Sequence, residues 1–369
     1  MYLKIYTPGH GPFLDSLIMY GLASVFEEGN LKYHVTGSAQ AFELNVEGVS
    51  TSDVASSIAH TIHNRKEDVN KLLANQLRLV QKEASNKLLA FLGEMTDPSK
   101  VERSLQAYLV PGHARDEGRE VRGKQHVWLP LYPHIGKYFT GEYRYKPKEY
   151  GVCPFCIALA TLGFYRAALP VLYPPPGITS NVLILSFEGR VAGEALNEMM
   201  FFVRSHEFVQ GVLANQSLRR AARILPLTVF TWMLLAFFSA ELLKTLYKTE
   251  ASWIALSTTF DVVKGGVVQV RGYEEVSIDR YLSSLVWLIQ VDEEREKRKE
   301  GERVRPLERL RDLTERLIRE EDPAALEALY RFLVTRRPSD LYAASRQVVK
   351  RLREGMGKGF CEELACLIQ

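Results

Sequence analysis

Tyr2-Leu3-Lys4-Ile5-Tyr6-Thr7-Pro8-Gly9-His10-Gly11-Pro12, running on into Phe13-Leu14-Asp15-Ser16-Leu17-Ile18, decides how this chain begins to fold. The first five residues alternate as a strand does. Pro and Gly at positions 8–12 interrupt both the strand and the helix period, so a loop must follow. Residues 13–26 then carry helical spacing, with Leu14, Leu17, Ile18, Gly21 and Leu22 on one face. Two strand-like runs come next, residues 31–36 and 41–46, joined by a Gly-Ser turn. A long helical stretch opens at Ser50-Thr51-Ser52-Asp53, which supplies capping side chains, and runs to about residue 92 with a break expected near Asn64 or Asn86. Strand–helix–strand–strand–helix is the opening of a ferredoxin-like, RRM-like half-domain. The aromatic RNA-binding signature of an RRM is absent, and fold alone does not give function.

Working outward, the expected fold class is α+β, with three regions. Residues 1–120 form the ferredoxin-like, RRM-like N-terminal α+β portion, residues 121–290 a mixed α/β region, and residues 291–369 a C-terminal helical bundle. The mixed region holds a helix after Cys156, a strand over residues 182–187, and an apolar helix over residues 224–240. It also holds a hairpin pairing 259–263 with 267–271 across Lys264-Gly265-Gly266. In the last region Leu307, Leu310, Leu313 and Leu317 form an apolar stripe.

The chain's 369 residues, 46% hydrophobic and 25% charged, suffice for a sizeable buried core and argue against disorder. A net charge of only +3 means that any nucleic-acid surface must be a local patch. Mixed charge runs at 292–305 and 308–321 suit a hot habitat, where desolvating charges costs less, although exposed helices alone also explain them. No basic-then-apolar leader opens the sequence, so a cytoplasmic protein is expected. The apolar stretch at 224–240 falls short of the roughly 20 residues of a spanning helix, and no membrane partnership is expected.

Cys153-Pro154-Phe155-Cys156 is the sharpest local signal, because Pro154 suits a first helical turn and sets both sulfurs near a helix N-terminus. With Cys361 and Cys366, the other two cysteines, these residues could form a four-cysteine structural zinc site, zinc being the one cofactor the sequence suggests. They could equally form disulfides, or stay as inert buried thiols. A fourth reading is a thiol-redox enzyme, since the motif looks like a glutaredoxin active site, but no succession of strands and helices of that fold surrounds it.

His60, His63 and Glu67 share a helix face, for which an exposed polar surface is the simpler account than a metal. There is no His-Glu-x-x-His and no acidic set suited to two-metal chemistry. Pro8-Gly9-His10-Gly11-Pro12 lacks the Lys and Ser/Thr of a phosphate-binding loop. No catalytic residue is assigned.

Basic residues interleave with aromatics at Lys137, Tyr138, Arg144, Tyr145, Lys146 and Lys148, a pattern that offers cations to phosphates and rings to unpaired bases. An ordinary surface loop is the alternative. Near the end of the chain, Tyr342, Arg346, Lys350 and Arg353 fall on one helical face, opposite Leu341, Val348 and Leu352. Across residues 331–358 the only acidic side chains are Asp340 and Glu354, so this face could track a phosphate backbone or simply be solvated. Lys71, Asn75, Arg78 and Lys82 make a weaker stripe.

Gly151-Val152-Cys153-Pro154-Phe155-Cys156-Ile157-Ala158-Leu159-Ala160, with Leu162-Gly163-Phe164-Tyr165 after it, resembles the cysteine-bearing stretch of the large subunit of archaeal subtype I-A CRISPR interference (Cascade) complexes. The opening Thr7-Pro8-Gly9-His10-Gly11-Pro12-Phe13-Leu14-Asp15-Ser16-Leu17 is similar to that family's N-terminal loop and helix, and the length fits the family. The resemblance implies a non-catalytic subunit that helps hold the 5′ end of a guide RNA. It also implies reading of a short flanking motif in target double-stranded DNA, and support for recruiting separate helicase and nuclease subunits beside the backbone and small subunits. Guide pairing would supply sequence specificity, the protein only the motif. No motif-reading residue of the family is carried over, so the contact residues above rest on charge and aromatic pattern.

Overall fold

The computed structural model describes residues 2–38, 41–76, 82–114, 125–126, 131, 151–172, 178–205, 220–221, 224–263, 267–297, 306–351 and 364. It is an α+β structure whose contacts group into two units that interleave along the chain. The first holds residues 1–206, 249–252 and 256–273, and the second 207–248, 253–255 and 274–369.

In the first unit, β1 (Tyr2–Tyr6), α1 (Pro12–Glu28), β2 (Tyr33–Gly37), β3 (Phe42–Glu47) and α2 (Thr51–Asn70) follow in the expected succession. The strand placement differs from expectation at the sheet's edge. A ferredoxin-like unit keeps its first strand inside the sheet, antiparallel to the third. Here β1 also runs antiparallel to β3, with Tyr2 opposite Glu47, but lies at the sheet edge. The reason is that β2 does not end the sheet. It pairs onward, antiparallel, with the 15-residue β7 (Ile178–Ala192), His34 opposite Ala192. β6 (Leu169–Leu172) lies along the start of β7, with Leu169 opposite Leu183. β8 (Glu250–Val263) and β9 (Val267–Ser277) extend the sheet from β7, making seven strands among the described residues. The expected hairpin is therefore present and longer than the alternation suggested; its turn at 264–266 lies outside the described residues.

The helix read as one-sided is buried all round. Every residue of α1 from Phe13 to Phe26 is buried. On one side Tyr20 donates to the Leu185 carbonyl (2.7 Å) and Ser16 bonds Ser186 (2.9 Å), both on β7. On the other side lies α5 (Pro154–Ala167), where the backbones close to contact through glycines. A Cβ added at Gly21 would collide with the Leu159 carbonyl, and one at Gly163 with the Leu17 carbonyl. α5 is ended by Arg204, the last residue of α6 (Gly193–Arg204), whose guanidinium donates to the carbonyls of Phe164 (2.8 Å) and Ala168 (3.2 Å). Burial lowers its pKa to about 10.

The capping reading at Ser50 holds: its hydroxyl accepts from Asp53 N–H, and the Asp53 carboxylate accepts from Ser50 N–H (2.9 Å). The long helix is interrupted between the two expected positions, in a π turn at Lys71–Gln76 before α3 (Lys82–Glu94). A π turn inserts a residue into the helical phase, which lets the adjacent Leu72 and Leu73 both turn inward. After it come α4 (Pro98–Leu105) and a short 3₁₀ turn at Gln106–Tyr108. A two-stranded pairing of β4 (Gln125–His126) with β5 (Gly151–Val152) precedes α5.

Among its described residues, the second unit is helical apart from short stretches of β8 and β9. It carries α7 (Leu227–Leu235), α8 (Ala240–Lys248), α9 (Asp279–Lys297), α10 (Pro306–Arg319), α11 (Pro323–Thr335) and α12 (Pro338–Arg351). The leucine stripe is confirmed: Leu307, Leu310, Leu313 and Leu317 are all buried along α10. The apolar helix expected over 224–240 is shorter: only α7 falls within it, and the chain bends by 106° into α8, which starts at Ala240. Arg311 explains the bend, since its guanidinium meets the Ala236 and Phe238 carbonyls (both 2.7 Å) that a continuing helix would have used. Among the described residues no single helix is long and apolar enough to cross a membrane, although this bent pair passes by length and composition.

Candidate functional site

Cys153 is the N-cap of α5, held there because β5 delivers an extended chain and Pro154 starts the first turn. Its sulfur accepts from Cys156 N–H (3.4 Å), as a capping oxygen would. Helical geometry then brings Cys156 round to the same end, with its sulfur 3.4 Å from that of Cys153. Cys156 is fully buried and Cys153 half-buried. The Tyr108 hydroxyl sits 2.9 Å from the Cys156 sulfur, and its ring packs edge-on against Phe155.

A third ligating group joins them. His113 Nε2 lies 3.6 Å from the Cys153 sulfur, and the three ligand atoms fall within 4.8 Å of one another. The strap carrying His113 is pinned by Ala114 N–H donating to the Pro8 carbonyl (2.9 Å) and by the His113 ring lying 5.6 Å from that of Tyr108. Sequence reasoning missed both His113 and Tyr108. Forty positions separate His113 from Cys153, and no fixed spacing marks a lone Pro-Gly-His as a partner of a distant Cys-x-x-Cys. Cys361 and Cys366 lie outside the described residues.

The Pro8–Pro12 loop shows what its glycines are for. Gly9 and Gly11 N–H donate to the two carboxylate oxygens of Asp15 (2.8 and 2.7 Å), and Phe42 N–H donates to the Thr7 hydroxyl (2.8 Å). Burial raises the Asp15 pKa, while His10 and these N–H groups oppose the rise. The loop is thus folded around an internal carboxylate, and two of its amides are already committed there.

Of the expected nucleic-acid contacts, Lys137, Tyr138, Arg144, Tyr145, Lys146, Lys148 and Arg353 lie outside the described residues. Arg346 is exposed on α12, Tyr342 is 69% exposed, and Leu341 and Ala344 are buried on the opposite face. Lys350 belongs to the same helix. Lys71 is exposed at the end of α2, while Arg78 lies outside the described residues. His60, His63 and Glu67 are exposed, and His60 bonds Asn64 (2.9 Å), in keeping with a polar helix surface. In the second unit a cleft of about 450 Å³ is lined by Glu241, Asp292, Glu293 and Glu308 beside Lys244 and Arg311. Four carboxylates make it a poor seat for phosphate.

Fold and site together define a class: an α+β scaffold whose clustered sulfur and nitrogen donors sit at a helix start beside its most tightly packed helix pair. The particular family is given by comparison. Residues 3–358 match the family model of the CRISPR-associated protein (Cas_Csa4) family, and the chain belongs to that family. It is also similar to the CRISPR system associated protein Cas8 of Thermoproteus tenax, 24% identical over 190 residues that cover 44% of this chain and 50% of that protein. The chain spans about half the length of that relative. The resemblance drawn from the cysteine-bearing stretch and the N-terminal loop agrees with this membership.

Proposed function

We propose that this chain is the non-catalytic large subunit of a type I-A CRISPR interference complex. In that role it helps hold the 5′ end of the guide RNA, reads the short motif flanking the target in double-stranded DNA, and supports recruitment of the helicase and nuclease subunits. It would act in the cytoplasm beside the backbone and small subunits. Family membership across residues 3–358 is the observation that carries this reading. The exposed Arg346 and Tyr342 on α12, with Lys350 and Arg353 following in the sequence, suit contact with a phosphate backbone. The aromatic and basic residues from Lys137 to Lys148 suit a single-stranded contact. Nothing favours the thiol-redox alternative.

The test is to tag the chain in its native host, purify it gently and sequence the co-purifying RNA. Short RNAs of discrete length sharing a repeat-derived 5′ end are expected. Recovery without RNA or partner subunits would overturn the assignment. Reversing the charge of Lys137, Arg144 and Lys146 in the assembled complex should weaken target binding and flatten its salt dependence by roughly one slope unit per lost phosphate contact. Unchanged affinity and slope would remove that segment from the interface.

A further inference from the structure

We infer that His113, Cys153 and Cys156 form a binding site for a zinc-class divalent ion that clamps the strap after Tyr108 to the N-terminus of α5. The donors are two sulfurs and one imidazole, the set a borderline-soft ion prefers. Their spacings of 3.4 Å (sulfur to sulfur) and 3.6 Å (sulfur to nitrogen) compare with roughly 3.5–3.8 Å between donor atoms around a tetrahedral zinc. The imidazole adds to the thiol pair the third protein donor that a metal centre needs.

The surroundings supply what a metal–thiolate centre needs. Cys156 N–H points at the Cys153 sulfur, and the Tyr108 hydroxyl is placed to donate to the Cys156 sulfur once that sulfur is a thiolate. The start of α5 adds the positive end of a helix dipole, which favours both thiolates. The ion would join positions 113 and 153, so the chain that leaves the cluster returns to it. It would thereby close the base of the segment that carries Lys137 and Arg144. The metal site itself is argued independently of any nucleic-acid role for that segment.

The experiment uses the full-length chain, produced in zinc-supplemented medium and purified without chelator. Its zinc content is measured by plasma mass spectrometry beside that of His113→Asn and Cys156→Ser, with circular dichroism as the fold check. About one zinc per wild-type chain is expected, falling at least about fivefold in each variant. Cys156 is in the core and its replacement can fail to fold, so the half-buried His113 carries the decision. Should His113→Asn also misfold, the cobalt-substituted wild type decides: sulfur-to-cobalt charge-transfer bands of a tetrahedral centre support the site, and their absence overturns it. A folded wild type without stoichiometric zinc overturns the inference. So does a folded His113→Asn chain that keeps its zinc.

Discussion

α1 and α10 are helices of similar length, 17 and 14 residues, and they stand in their units in opposite ways. α10 shows one leucine face to its unit and charged residues elsewhere, so its period can be read directly. α1 is buried on every side, and two glycines bring its backbone against that of α5. The difference teaches where tolerance lies. A side chain lost from α10 leaves a hole that neighbours can partly fill. A side chain gained at the α1–α5 crossing meets carbonyl oxygens that cannot move without shifting a whole helix.

The largest effect should therefore come from the smallest residue. Gly163→Val is expected to cost about 4 kcal/mol or more and to leave little soluble protein, with Gly163→Ala milder but still destabilising. Denaturant melts measure this, and near-wild-type stability in Gly163→Ala would mean that the helices are not in backbone contact. Leu310→Ala, at a fully buried position of α10, should cost about 3 kcal/mol, within the range for a core cavity.

Asp15→Asn sharpens the account of α1 further. An amide offers only one acceptor where Gly9 and Gly11 each need one, so a loss of about 1–3 kcal/mol is expected. Because burial raises the Asp15 pKa, the folded state keeps this proton to higher pH than the unfolded chain does. The group's contribution to stability is therefore greatest below its unfolded pKa and declines as pH rises through the folded value. Wild-type melts across this range should carry that slope and Asp15→Asn melts should lack it.

The smallest effect is expected at Arg346→Ala, within about 0.5 kcal/mol of wild type in stability, because the side chain is exposed. Its consequence should appear instead as a shallower salt dependence of target binding by the complex.

Much was legible from residues alone. The strand–helix–strand–strand–helix opening, the Ser50 cap, the helix starting at Pro154, the hairpin flanking residues 264–266 and the α10 stripe all follow from local spacing and capping chemistry. These are properties of neighbours along the chain, where backbone geometry makes the period visible. The cysteine-bearing stretch and the N-terminal loop also pointed to the family that the whole-chain match establishes.

Tertiary structure decided the rest. How the sheet continues depends on which segment reaches β2, and that segment, β7, lies some 150 residues away. The early end of the apolar helix, and the bend into α8, depend on Arg311, a side chain from α10 that claims carbonyls at the bend. The candidate site divides in the same way. Cys153 and Cys156 announce themselves three positions apart, because one helical turn must bring them together. His113 reaches them only because folding carries its strap across to the start of α5. Local periodicity records what a residue does to its neighbours in sequence; a contact between distant segments leaves no such record, and only the folded chain shows it.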